Sequence, residues 1–272
     1  MTAIIKGTIE NKVENFEQKM RDVALVVSSV VAQLAAAVKP GVKTNDLDLQ
    51  AAALIESMGA KSYNLNYKPA WAKTPYPAVL CTSVNNEIAH GIPDEYELKE
   101  GDIISLDLGI TFNGVAGDCA ITVPVGKIEN NNERLLRFAN RAVYIGAQQV
   151  KAGALITDIG HEIEKYCMQN GYVVNKVFSG HGIGVEMHEE PTLPHFRDLH
   201  PEYLKRFTGV KLKAGQVICL EPMLSFKDGG GQVAPDGWTV CTRDGKYSAM
   251  YEHMILVKED GYEILTDHFI KA

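Results

Sequence analysis

Two histidines, His181 and His188, stand seven residues apart in SGHGIGVEMHEEP (179–191). This stretch also carries three glycines and three glutamates and keeps neither helical nor strand periodicity. Imidazole nitrogens bind transition metals or polarise carbonyl groups, so the pattern raises metal-assisted chemistry and the question of where oxygen ligands would come from. Four acids answer it: Asp107 in IISLDLGI (103–110), Asp118 in AGDCAITV (116–123), Glu221 in VICLEPM (217–223) and Glu252 in MYEHMILV (250–257). Each lies inside an apolar run, where a carboxylate must be paired, hydrogen-bonded or metal-bound. A distant arginine could serve any single one. Four converging carboxylates repel strongly, and two divalent cations would neutralise them. Oxygen ligands with one imidazole suit Mn, Fe, Co or Zn. His181 is the choice for that lone nitrogen, its backbone freed by Gly180 and Gly182. His188 and His90, in HGIP (90–93), are left for a substrate.

The elements that must position these residues repeat along the chain. VKPGVKTNDLDLQAAALIESMG (38–59) and VKAGALITDIGHEIEKYCMQNG (150–171) share a V-K-x-G start, an aspartate five residues past that glycine and a closing glycine. Both read as helices entered after Thr44 or Thr157 and stopped by Gly59 or Gly171. A helical stretch precedes each, at about 15–38 and 132–150. LKEGDIISLDL (98–108) matches LKAGQVICLEP (212–222) and sets Asp107 on Glu221, while DCAITV (118–123) matches EHMILV (252–257) and sets Asp118 on Glu252. Asn113–Gly114 signals a two-residue hairpin between the first two acids. The expectation is an α+β fold of two pseudo-symmetric halves, about 15–125 and 132–266, with strands joined in one curved antiparallel sheet. It forms a single domain over 1–272, with 1–14 as an N-terminal extension and the Gly-rich 227–240 as a loop.

Composition narrows the function classes. The 272 residues are 46% apolar and 22% charged, ordinary values for a globular chain. A net charge of −7 favours neither a nucleic-acid site nor an anionic membrane surface. Five cysteines with no C-x-x-C pattern speak against a disulfide framework and for a cytoplasmic, reducing location. The apolar run at 23–38 contains Ser28, Ser29 and Gln33 and reads as a buried helix rather than a membrane span. A zincin motif would need histidine at 192, where Thr192 stands, and no P-loop or G-x-S-x-G is present.

With NEIAHGIPD (86–94), SLDLGITFNGVAGD (105–118), GHGIGVEMHEEP (180–191), LEPM (220–223), DGWTV (236–240) and YEH (251–253), the chain resembles the type I methionine aminopeptidases, from about residue 15 to 266. That resemblance implies a pita-bread fold, a curved antiparallel sheet with helices on its outer face, and two metal ions per chain. Asp118 and Glu252 would bridge the ions, Asp107 would complete one site, and His181 and Glu221 the other. It further implies release of the initiator methionine from nascent proteins with a small second residue, by attack of a metal-bridging water. Glu221 would be the proton acceptor, His188 the oxyanion stabiliser and His90 a donor to the substrate amide. Tyr76, Cys81, Met187 and Trp238 would wall the methionine pocket, Met187 standing where many members have phenylalanine. Ala70 and Lys73 depart from the usual Cys-x-Gly-Tyr-like pattern, and 197–209 is longer than in compact members. The implied partners are nascent N-termini or peptides, with ribosome contact left open, and a monomer is expected. Two alternatives stay open at this point: a proline-specific aminopeptidase or dipeptidase of the same fold, and a non-catalytic peptide-binding module.

Overall fold

The computed structural model describes residues 15–269; the N-terminal extension expected over 1–14 lies outside them. The chain runs through α1 (Phe16–Ala37), α2 (Thr44–Ser57), β1 (Lys61–Ser62), β2 (Cys81–Val84), β3 (Glu87–Ala89), β4 (Ile103–Phe112) and β5 (Val115–Pro124). The same order of two helices then strands recurs in α3 (Asn130–Ala147), α4 (Ile156–Gln169), β6 (Val173–Val174), β7 (Gly180–Ile183) and β8 (Glu189–Leu193). It ends with α5 (Pro201–Phe207), β9 (Val217–Leu220), β10 (Met223–Ser225), β11 (Gln232–Val233), β12 (Val240–Cys241), β13 (Ser248–Met250), β14 (His253–Lys258) and β15 (Gly261–Ile264).

Met20, Val23, Ala24, Val27, Val30, Val31 and Leu34 recur at helical spacing and have no exposed surface, so α1 is a core helix. It packs across β4 and β5. The fit is close: a Cβ on Gly117 would lie 2.6 Å from Val23 Cγ2. Ile104, Leu106, Leu108 and Ile110 join α1 in one core cluster, and strand alternation turns Asp107 to the opposite face.

Asn113 (φ 51°) and Gly114 (φ 81°) make the two-residue turn between β4 and β5. The register pairs Asp107 with Ala120 and Gly109 with Asp118, so both acids share a face as diagonal neighbours. In the second half, β15, β14, β9, β7 and β8 form a five-stranded antiparallel sheet. Val217, Cys219, Met254 and Leu256 point into the cluster shared with α1. Ile218, Leu220, Ile255 and Val257 point into a second cluster with Leu135 of α3 and Ile163 of α4. A sheet apolar on both faces is thus covered on both.

The strands expected as one curved sheet divide into four hydrogen-bonded groups. The two largest meet where the Glu252 amide donates to the Ala120 carbonyl at 2.8 Å. Between β9 and β10, Pro222 has no N–H to offer a ladder, and the chain leaves one group for another there. The Gly-rich 227–240 stretch, expected as a loop, also contains β11 and the first residue of β12. The longer 197–209 stretch contains α5, which sequence periodicity had not indicated.

Gly117→Val should overpack the α1–β5 contact and cost about 1–3 kcal/mol of stability. The urea unfolding midpoint of the metal-free protein reports it, and an unchanged midpoint would contradict the close packing described.

Candidate metal centre and substrate pocket

Asp118, His181, Cys219 and Glu252 each offer one ligand atom, and these atoms lie within 4.8 Å of one another. The residues arrive from different strands by register: His181 pairs with Cys219 across β7 and β9, and Glu252 bridges to Ala120 of β5. Glu221, two residues past Cys219, brings Oε1 to 3.5 Å from His181 Nε2, and Asp118 Oδ2 stands 3.9 Å from the same nitrogen. Asp107 is outside the tight group, yet its charge is felt by Asp118, Glu221 and Glu252.

The glycines around His181 are needed for space. A Cβ on Gly180 would lie 2.2 Å from the Cys219 carbonyl oxygen, and one on Gly182 would lie 2.5 Å from that of Glu190. Only glycine lets β7 approach so closely.

The electrostatics of this group fit a cation. Burial first, then mutual repulsion, holds Asp118, Glu221 and Glu252 well above the usual carboxylate range, and burial raises Asp107 to about 7. Asp118 Oδ1 and Glu252 Oε1 are buried without a hydrogen-bond partner. His181, its pKa lowered by burial to about 3, is neutral, and its Nδ1 lies 3.0 Å from the Gly182 carbonyl. The Nδ1 proton therefore goes to that carbonyl, and the Nε2 lone pair faces the carboxylates. Orphaned carboxylate oxygens beside an imidazole lone pair form a donor set matched to a positive charge. Cys219 stays a thiol, pushed well up by burial and the neighbouring acids, so the donor set is oxygen and nitrogen.

The apolar neighbourhood begins one strand away. Cys81 of β2 is the cross-strand partner of Asp107 and packs with Tyr76, Trp238, Ala72 and Ala78, with Tyr67 and Ile92 against them. Tyr76 donates to the Gly91 carbonyl at 2.8 Å and meets Trp238 edge-on, ring centres 5.1 Å apart. Trp238 Nε1 donates to the Thr74 carbonyl at 3.0 Å. Met187 joins the cluster shared with α1, and its Cε lies 2.6 Å from where a Gly109 Cβ would stand, on the strand face that carries Asp107. Ala70 and Lys73 are exposed, while Ala72 takes the buried place between them.

His90, in the left-handed region at φ 58°, is boxed by three rings. Trp71 lies 6.1 Å away in a stacked arrangement, while Phe178 at 5.2 Å and Trp238 at 6.0 Å are edge-on. Burial lowers its pKa to about 4, and its Nδ1 has no partner. His188 meets His181 with its ring tilted by 58° and the centroids 4.5 Å apart, and meets the Tyr67 hydroxyl through Nδ1.

Several of these neighbours were not singled out from the sequence. Cys219 carried a signal, since it stands two residues before Glu221 and shares its strand face. Phe178 directly precedes the glycine–histidine motif. His195, whose Nε2 accepts the Glu221 amide at 3.2 Å, and Tyr67 carried none, because both arrive by long-range folding.

Comparison with known proteins agrees with this geometry. The model of metallopeptidase family M24 matches residues 18–259. The chain belongs to that family. A methionine aminopeptidase of Clostridium perfringens is 38% identical over 255 residues, 94% of this chain and 97% of that protein. The crystal structure of methionine aminopeptidase from Rickettsia prowazekii superposes with a TM-score of 0.85 at 34% identity, covering 93% of this chain and 97% of that one. The resemblance and the pita-bread fold read from the sequence are thereby borne out. A prolidase from Pyrococcus furiosus shares the fold, with a TM-score of 0.69, but is 18% identical and only 64% covered. The methionine aminopeptidase reading is favoured over the proline-specific one, and family membership with the buried acid–histidine group supports use of a divalent metal.

A pH prediction follows from the signs. Carboxyls with raised pKa values make the folded metal-free protein bind more protons than the unfolded chain, so their contribution to stability is lost as pH rises through the folded values. The buried neutral histidines act oppositely, but only up to their ordinary value of 6.5. From pH 6.5 through about 7 the carboxyls dominate, so the metal-free protein should lose stability with rising pH. Bound divalent cation should flatten that slope. Urea midpoints across this range test it, and a midpoint that rises in the metal-free protein would contradict it.

Proposed function

We propose that the chain is a methionine aminopeptidase, releasing the N-terminal methionine from peptides and nascent proteins whose second residue is small. One observation carries the reading: the apolar Tyr76–Cys81–Trp238 pocket lies directly across a strand pair from Asp107, at the edge of the acidic cluster. A terminal amine drawn to the acids therefore places its side chain beside aromatic and sulfur walls suited to a thioether. Asp107, Asp118, His181, Glu221 and Glu252 would hold two ions, among Co, Mn, Fe or Zn. When bound, such ions polarise the scissile carbonyl and lower the pKa of water to roughly 7.

The chain's own residues do the rest. Glu221 accepts a proton as water attacks and passes it to the leaving amine. His188, neutral because burial lowers its pKa, donates to the developing oxyanion. His90, fixed by its ring box, orients the substrate amide. The side chain of methionine gains roughly 1.5–3 kcal/mol on burial in the pocket. The reading extends to a cytoplasmic location, supported by five cysteines that are all unpaired, and to a monomer. Nascent chains are a substrate source that leaves room for ribosome contact.

Turnover of Met-Ala-Ser against an Ala-Pro peptide is the deciding assay, and the Met peptide should be cleaved. Equal or greater cleavage of Ala-Pro would overturn the reading. Exhaustive chelation should abolish activity and Mn, Co or Fe(II) should restore it; full activity in verified metal-free protein would refute metal dependence. Glu221→Gln should abolish turnover, and residual turnover near wild type would remove it from the base role. His188→Ala should lower kcat by about 10²–10³ with metal content unchanged. Loss of metal with kcat per bound ion unchanged would place His188 among the ligands. Within the pocket, leucine should be disfavoured against methionine by about 1–3 kcal/mol in kcat/KM. Parity between the two would reject this pocket while leaving the acidic site standing.

A further inference from the structure

The loop joining β1 to β2 reaches back over the site and sets Tyr67 against His188. Its placement is fixed from both sides. The Tyr67 amide donates to the Asn64 carbonyl at 2.9 Å, and the Tyr67 carbonyl accepts the Tyr76 amide at 2.9 Å. The Tyr67 ring rests on Tyr63, 5.6 Å between centroids, and packs at the edge of the Tyr76–Cys81–Trp238 pocket. Its hydroxyl stands 3.2 Å from His188 Nδ1, and the two rings are 5.7 Å apart.

A neutral imidazole carries one proton and one lone pair, and the partner of one nitrogen decides which nitrogen keeps the proton. Imidazole nitrogen is a far better acceptor than phenol oxygen, and a phenol is a good donor. The hydroxyl therefore donates and Nδ1 accepts. This leaves the proton on Nε2, which has no hydrogen-bond partner among the described residues.

We propose that Tyr67 is a positioning residue that locks His188 as its Nε2–H tautomer and fixes the ring's rotation, so that a donor rather than a lone pair meets the substrate oxygen. The proposal rests on the aminopeptidase reading for its kinetic consequence, but not for its structural one. A lone pair at that position would repel the oxygen on which negative charge develops, so the tautomer governs the chemical step more than ground-state binding. The loop that carries Ala70 and Lys73 thus also reaches the reaction site through Tyr67, whose hydroxyl acts on His188 rather than on the reacting atoms.

Tyr67→Phe in the full-length, metal-loaded protein isolates the hydroxyl, since the ring and its packing remain. Loss of one such hydrogen bond should lower kcat by roughly three- to tenfold, with KM changed less than about twofold. In zinc-loaded, diamagnetic protein with ¹⁵N-labelled histidine, the wild-type His188 signals, assigned by their loss in His188→Ala, should show the Nε2–H form. Tyr67→Phe should show a mixture or the Nδ1–H form. A wild-type kcat together with an unchanged tautomer in Tyr67→Phe overturns the proposal, as does a wild-type ring found as Nδ1–H. A raised KM with unchanged kcat also overturns it, assigning Tyr67 to substrate binding. If the wild type turned over no peptide, the aminopeptidase reading would fail while the nitrogen signals still decided the tautomer.

Discussion

The structure is organised around a repulsion. Asp107, Asp118, Glu221 and Glu252 are brought together by strands from both parts of the chain, and each raises the cost of ionising another. The Cys119 backbone beside Asp118 and the Cys219 side chain beside Glu252 offset only part of this. No arginine or lysine pairs with any of the four among the described residues, two of their oxygens are orphaned, and the adjacent imidazole offers a lone pair. Removing such groups from water without compensation costs several kcal/mol apiece. The strands can hold them there because alternation gives each acid's neighbours to an apolar core: Leu106 and Leu108 beside Asp107, Cys119 beside Asp118, Leu220 beside Glu221. The site is therefore incomplete without positive charge.

Much of this was legible in the sequence because its determinants are local. The two V-K-x-G segments mark the starts of α2 and α4, and Gly59 and Gly171 their ends, since turns and helix stops depend on a few adjacent residues. Asn113–Gly114 demands a two-residue turn, and such a turn fixes the register that sets Asp107 diagonal to Asp118. The repeat placed the other two acids by analogy. What was not legible depends on approach over distance. His195 and Tyr67 reach the site from segments whose own periodicity says nothing of it, and the short α5 lies in a stretch too polar to show an apolar stripe. Gly180 and Gly182 were read as sources of backbone freedom; their structural reason is the lack of room between neighbouring strands.

In the proposed reading, specificity and chemistry share a strand boundary. The Cys81–Asp107 cross-strand pair puts pocket wall and acid on adjacent strands, so the distance between them is set by the sheet rather than by a mobile loop. The Tyr63–Tyr76 loop then closes over this boundary, with Tyr67 on His188 and Trp71 on His90. Rigid strands place the charges while the loop trims the histidines. Ala70 and Lys73 lie on the exposed part of the loop, where substitution leaves the acid geometry untouched.

The central claim is that a divalent cation compensates the buried acids, and proton release tests it most directly. Mn(II) titrated calorimetrically into metal-free protein at about neutral pH, in buffers of different ionisation enthalpy, counts the protons displaced per ion bound. Because the acids are held above their usual range, tight binding accompanied by proton release is predicted. Failure to bind, or binding that releases no protons, would contradict the account.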